Sequence, residues 1–221
     1  MWFFHVSISL LLLALGVNAE INRIYKDAKM NVAITQYTSD CHGAGTNSDV
    51  TLHLGYVDMD NKLVYSIKTT PQKAYSRFER KIATGWKYAV PNVQAAEIEQ
   101  ACFNAAGESQ DLYEDCFHPN LVYYRMYTWW NNWGHAWKPI RTGAILFTEL
   151  PNGEIYEHKT MFRFEKNCLC DWVDGEDDWY FCRDRLPGNR VWTYRGSGLE
   201  KGKKFECAKE TRKLAKHSKA N

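Results

Sequence analysis

Much of the chain after residue 19 alternates apolar and polar residues with a period of two. Val32 and Ile34 alternate with Ala33 and Thr35. Val50, Leu52, Leu54 and Tyr56 share one side, with Thr51 and His53 between them. Leu63, Tyr65 and Ile67 repeat the pattern, as do Trp86, Tyr88 and Val90. Such alternation predicts strands with one buried face. Leu121 to Trp130 is rich in Tyr, Val and Trp, which suit a pleated surface. Ile145 to Leu150 and Ile155 to Phe164 flank Pro151-Asn152-Gly153, and Asn-Gly favours the positive φ angles of a hairpin turn. Arg190 to Arg195 is a shorter strand candidate.

One segment changes period. Ile98, Ala101, Cys102 and Ala105 recur at helical spacing. Pro91 can occupy the first turn, where its missing N–H would be unpaired anyway, and Gly107 can end the helix. Leu199 to Asn221 is a second, weaker helical candidate. The expected fold class is mainly β: an antiparallel sandwich of seven or more short strands, one short helical insertion and a basic, partly helical C-terminal tail.

The N-terminus sets the context. Ile8 to Leu15 is an apolar run broken by Ser9, and Val17-Asn18-Ala19 fits a cleavage site. The run is shorter than the roughly 20 residues of a membrane span. The expected organisation is therefore a secretory signal peptide over 1–19, a domain over 20–198 and a basic tail over 199–221, in a protein that is secreted and extracellular. No Asn-x-Ser/Thr sequon occurs, so N-linked glycan is not expected.

Export makes the seven cysteines readable: Cys41, Cys102, Cys116, Cys168, Cys170, Cys182 and Cys207. In an oxidising compartment most should pair. Cys102 and Cys116 could close a local loop, while Cys168, Cys170 and Cys182 crowd one region. The remaining connectivity and the odd thiol stay open. No Cys-x-x-Cys pair or suitably spaced His points to a structural zinc site.

Residues 31 to 57 contain a strand, then Asp40-Cys41-His42-Gly43-Ala44-Gly45-Thr46-Asn47, then a second strand. This resembles the first hairpin of PLAT/LH2 domains, the β-sandwich modules of lipoxygenases and related proteins. Phe78-Glu79-Arg80 is similar to the family's Phe-Glu-Arg-Gly, with Lys81 in place of the Gly. Cys170-Asp171-Trp172-Val173 and Trp179-Tyr180-Phe181-Cys182 resemble its closing strands. The resemblance implies a non-catalytic module that binds membrane lipid or a protein partner, in some members with calcium.

Candidate chemistry is sparse. Of 32 aromatic residues, nine are Trp, and four of those fall in one nine-residue stretch: Trp129, Trp130, Trp133 and Trp137. Interleaved Asn and Gly make this a loop whose indoles suit a membrane interface or a sugar face. Trp133 and Trp137 are the ones expected to be exposed. Two acidic groups could serve calcium, Asp58 with Asp60 and Asp174 with Asp177, provided they meet across one sandwich end. The net charge is only +2, but residues 200–221 carry eight Lys or Arg against three Glu. That tail could dock on an anionic surface, and no nucleic-acid motif accompanies it.

The leading expectation is thus a secreted module binding a lipid, glycan or protein surface, without a required cofactor. A small ribonuclease-like effector using His42, His118, His135 or His158 is the first alternative. An extracellular structural or interaction protein is the second.

Overall fold

β1 (Lys29–Thr38) forms where the alternation is strictest: Met30, Val32 and Ile34 point inward, while Lys29 and Asn31 face out. Its two neighbours, β4 (Ala83–Ala89) and β6 (Pro139–Glu149), flank it antiparallel, and β7 (Ile155–Arg163) completes a four-stranded sheet in the order β4-β1-β6-β7. The opposing sheet has five strands, β3 (Leu63–Lys68), β2 (Asp49–Val57), β5 (Leu121–Tyr127), β8 (Asp178–Arg183) and β9 (Val191–Gly196), in the order β3-β2-β5-β8-β9. Every pairing is antiparallel. The computed structural model describes residues 20–46, 48–72, 78–127, 136–164, 166, 168, 172–173, 178–183 and 191–196.

The chain changes sheet after β1, β3, β4, β5 and β7, so both sheets are stitched together by connections at their ends. Between them lies one apolar core, to which β2 gives Val50, Leu52 and Leu54, β5 gives Val122, Tyr124 and Met126, and β7 gives Phe162. This is the predicted mainly β sandwich. The Asn152-Gly153 hairpin forms as expected, with Gly153 at φ +86° and the Glu154 N–H donating to Asn152 Oδ1 over 3.0 Å.

Two expectations about the strands and the helix change. Thr51 and His53, read as the polar side of β2, are 0% and 8% exposed. The outward face of the five-stranded sheet carries its own cluster of Val57, Leu63, Leu121, Tyr180 and Cys182, and His53 stacks on Tyr123 with ring centres 3.8 Å apart. The helical insertion is two helices, α1 (Asn92–Ala106) and α2 (Gln110–Asp115). Pro91 precedes α1 as its N-cap in an extended conformation, and Gly107 ends it at φ +61°. Ala106 rather than Ala105 completes the buried stripe. The Ser109 hydroxyl accepts from the Leu112 N–H to start α2. Cys102 and Cys116 are disulfide-bonded across this helix pair, closing a 14-residue separation whose cross-link lowers unfolded-chain entropy by about 3 kcal/mol. Cys41–Cys168 is a second disulfide, and Cys182 is also disulfide-bonded. Cys170, Cys207 and the basic tail lie outside the described residues.

A half-buried ion pair pins the N-terminal segment to α1. Arg23 Nε donates to Glu99 Oε1 over 2.8 Å, its Nη2 contacts Glu99 Oε2, and the Tyr113 hydroxyl donates to Glu99 Oε1 over 2.9 Å. With Glu99 only 4% exposed, these donors supply the pairing a buried carboxylate requires.

The antiparallel registers sort the connections into two ends. At one, which we call the glycine-rich end, β1 finishes, β2 and β4 start, β5 finishes opposite Asp49, β6 and β8 start, and β7 and β9 finish. At the other, the helix end, lie residues 20–28, the β2–β3 hairpin, both helices and the β6–β7 hairpin. A nine-residue strand separates the two by about 30 Å.

Candidate functional site

The glycine-rich end is built from the two stretches that resemble PLAT domains. Ala44 is fully buried and its carbonyl accepts from the Lys138 N–H. Gly45 lies so close to the next stretch that a Cβ there would sit 3.2 Å from both Phe78 O and Arg80 N. The Thr46 N–H then donates to Phe78 O over 3.2 Å. The glycine therefore serves close backbone packing. Asp40 faces the same stretch: Arg80 Nη2 lies 2.6 Å and Lys81 Nζ 3.1 Å from Asp40 Oδ1. Hydrogen bonds from Arg80 and then Lys81 hold the Asp40 carboxyl below the usual carboxylate range. Lys81, at the position of the family's glycine, adopts φ +66° and occupies the backbone geometry that glycine favours.

Trp137 corrects the prediction made for it. It is 0% exposed, not a surface anchor. Its ring meets Phe78 and Tyr124 edge-on, both at 5.1 Å, and its Nε1–H donates to Thr38 Oγ1 over 3.1 Å. Its backbone bridges Val173. The physical reason is that the chain just ahead of β6 is already bridged to Val173 and folded over the core, so the indole's area is worth more there and its N–H finds a hydroxyl. Beside it a buried polar group closes on itself: the Tyr124 hydroxyl donates to Gln36 Oε1 over 2.9 Å and contacts Thr142 Oγ1.

Trp129, Trp130 and Trp133 lie outside the described residues. The flanking positions are described: the segment leaves from Tyr127 and returns at Ala136, both at the glycine-rich end. Tyr127 is exposed, with the Arg125 guanidinium 5.6 Å from its ring centre. Lys68, Arg80, Lys81, Arg163 and Lys166 are exposed at this end, and the chain departs from β9 toward the basic tail from Gly196, which pairs with Asp178 there. Among the described connection residues at this end, Arg80, Lys81, Lys138 and Lys166 stand against Asp40 and Glu79. The excess is small, so apolar contact rather than charge would have to lead any surface attachment.

Of the acidic candidates, Asp58 and Asp60 lie among the described residues. Asp58 and Asp60 lie in the β2–β3 hairpin at the helix end, where Asp58 Oδ1 accepts from the N–H groups of Asp60 and Lys62, each at 2.9 Å. Asp174 and Asp177 lie outside the described residues, between Val173 and Asp178, which are both at the glycine-rich end. Among the described residues, no three or more His, Cys, Asp or Glu side chains gather as a metal-binding group.

Of the histidines, His118 and His158 come together and His42 stands exposed at the opposite end; His135 lies outside the described residues. His158 Nδ1 and His118 Nε2 are 3.5 Å apart. Direct contact leaves no gap between them for a phosphodiester, and no guanidinium is within ion-pair or stacking contact of either ring among the described interactions.

No protein-family profile matches the chain, and no curated protein matches it. Among solved structures it is similar to the Delta413-417:GS form of LOX, with 11% identity and a TM-score of 0.31, over 60% of this chain and 16% of that one. It is similar also to the alpha toxin from Clostridium absonum, with 13% identity and a TM-score of 0.34, over 66% of this chain and 33% of that one. The chain thus aligns with a sixth to a third of the length of these proteins. Among the described residues, no helix is long and apolar enough to cross a membrane.

Proposed function

We propose that this protein is a secreted PLAT-like module that attaches to a lipid surface through its glycine-rich end. The observation that supports this most is topological. The registers bring Tyr127 and Ala136, which flank the indole-rich segment, the exposed cations beside Asp40, and Gly196, after which the sequence runs on into the basic tail, to the same end of the sandwich. Trp129, Trp130 and Trp133 are the apolar anchors in this reading, since an indole combines a wide apolar face with one N–H suited to the headgroup layer. The tail and the exposed Lys and Arg add attraction to anionic lipid that weakens as salt shortens the Debye length. The two described disulfides fit an oxidising compartment, as secretion requires.

Co-sedimentation with phosphatidylcholine vesicles, with and without about 30 mol % phosphatidylserine, tests the proposal. The wild type is expected to bind both, more strongly with phosphatidylserine. The triple variant Trp129→Ala, Trp130→Ala, Trp133→Ala should lose about tenfold or more in affinity on both while keeping its unfolding midpoint. Raising salt from about 0.1 to about 1 M should remove most of the phosphatidylserine increment. A triple variant that binds like wild type, or binding to a glycan or protein but not to vesicles, overturns the reading.

A further inference from the structure

The helix end holds a second cluster that surface attachment at the other end does not use. We propose that His118 and His158 form a two-imidazole site for a divalent transition cation of borderline softness, represented by Zn²⁺. The geometry is already close to coordination. Two nitrogens bound to one tetrahedral zinc at about 2.0–2.1 Å stand roughly 3.4 Å apart, and His158 Nδ1 and His118 Nε2 are separated by 3.5 Å. The separation suits a shared ion, and the exposed His118 ring would turn to bring its lone pair onto the cation as it replaces the long hydrogen bond between the rings.

The surroundings prepare one ring and expose the other. His158 is 3% exposed, and its remaining nitrogen, Nε2, is 3.0 Å from the fully buried Thr148 Oγ1. With Nε2–H donating to that hydroxyl, Nδ1 presents its lone pair toward His118, the arrangement in which an outer partner fixes a ligand's tautomer. Tyr25 meets the His158 ring edge-on at 5.1 Å and Phe117 tilts against it at 5.7 Å, so its orientation is set by packing. His118 stands at right angles to it, lies just beyond α2 and its C-cap Cys116, and is open to solvent, which supplies the entry path.

Because two imidazoles are the protein's donors, water fills the other positions, and a nitrogen-only pair selects zinc-like ions over calcium, which takes six to eight oxygens. The test is calorimetric titration of the untagged full chain with Zn²⁺, paired with NMR of the imidazole C–H resonances. The wild type should bind one Zn²⁺ with micromolar-range affinity, shift the His118 and His158 resonances and ignore Ca²⁺. His118→Ala should bind at least about tenfold more weakly and keep its metal-free unfolding midpoint, since His118 is exposed. Thr148→Val should weaken binding less, because it removes only the tautomer anchor. Equal Zn²⁺ affinity in wild type and His118→Ala, absence of one-to-one binding, or displacement by Ca²⁺ would each overturn the proposal. None of these outcomes bears on vesicle binding, which is read at the other end.

Discussion

Trp137→Ala is expected to lower the unfolding free energy by about 3–5 kcal/mol. The indole is fully buried, closes the glycine-rich end of the core against Phe78 and Tyr124, and donates to Thr38. Truncation removes the transfer free energy of the ring and leaves a cavity bounded by backbone that Cys41–Cys168 and the Val173 bridge hold in place. Thr38 Oγ1 also loses its indole donor. Trp137→Phe keeps an edge-on ring and should cost about 1–2 kcal/mol, mostly through the lost hydrogen bond. Denaturant melts of the three proteins measure this directly. A change within about 0.5 kcal/mol for the alanine variant is the surface-residue outcome and would contradict the burial described here.

Acidification should destabilise the fold over a defined window. Burial, with the Lys68 and Arg125 charges adding to it, depresses His53 from 6.5 to about 3. Burial and His118 depress His158 to about 4. Both rings are therefore neutral in the native state at pH values where the unfolded chain takes up a proton. Below pH 6.5 the unfolded state binds more protons, so stability falls with pH, and the loss continues toward pH 4 and 3. At 1.36 kcal/mol per pKa unit, each histidine withdraws on the order of 3 kcal/mol by pH 4. His53→Phe preserves a ring on Tyr123 without a titrating nitrogen, so it should remove about half of this slope. Unfolding free energies measured between pH 7.5 and 4.5 that stay flat, or a slope unchanged in His53→Phe, would contradict the assignment.

Most of the strand pattern was legible because a residue in a half-buried strand announces its face by alternation. Val32 and Ile34, or Leu52 and Leu54, needed nothing more than period two. His53 was misread for the same reason: alternation reports which residues differ from their neighbours, not whether the second face is also covered. Trp137 was misread because composition assigned it to a loop, whereas its position one residue before Lys138 and two before β6 made it a core residue. The Cys102–Cys116 link was readable from local spacing, while Cys41–Cys168 joins positions 127 residues apart and depends on the topology. The Glu99–Arg23 pair spans 76 residues and had no local signal. His118 and His158 were noticed separately as histidines, but only the pairing of β7 under the helix end places them in contact. The PLAT-like phrases were legible as motifs, and the structure adds that Gly45 and the Phe78–Arg80 stretch touch.

In the proposed attachment the indoles between Tyr127 and Ala136 enter lipid while the sandwich stays outside it. Quenching of tryptophan fluorescence by vesicles with acyl chains brominated near the headgroup is the most direct measurement. The wild type should be quenched in part, with buried Trp137 retaining its emission, and the Phe triple variant at Trp129, Trp130 and Trp133 should show almost no quenching. Vesicle binding with no quenching in wild type, or equal quenching in the triple variant, would contradict the claim.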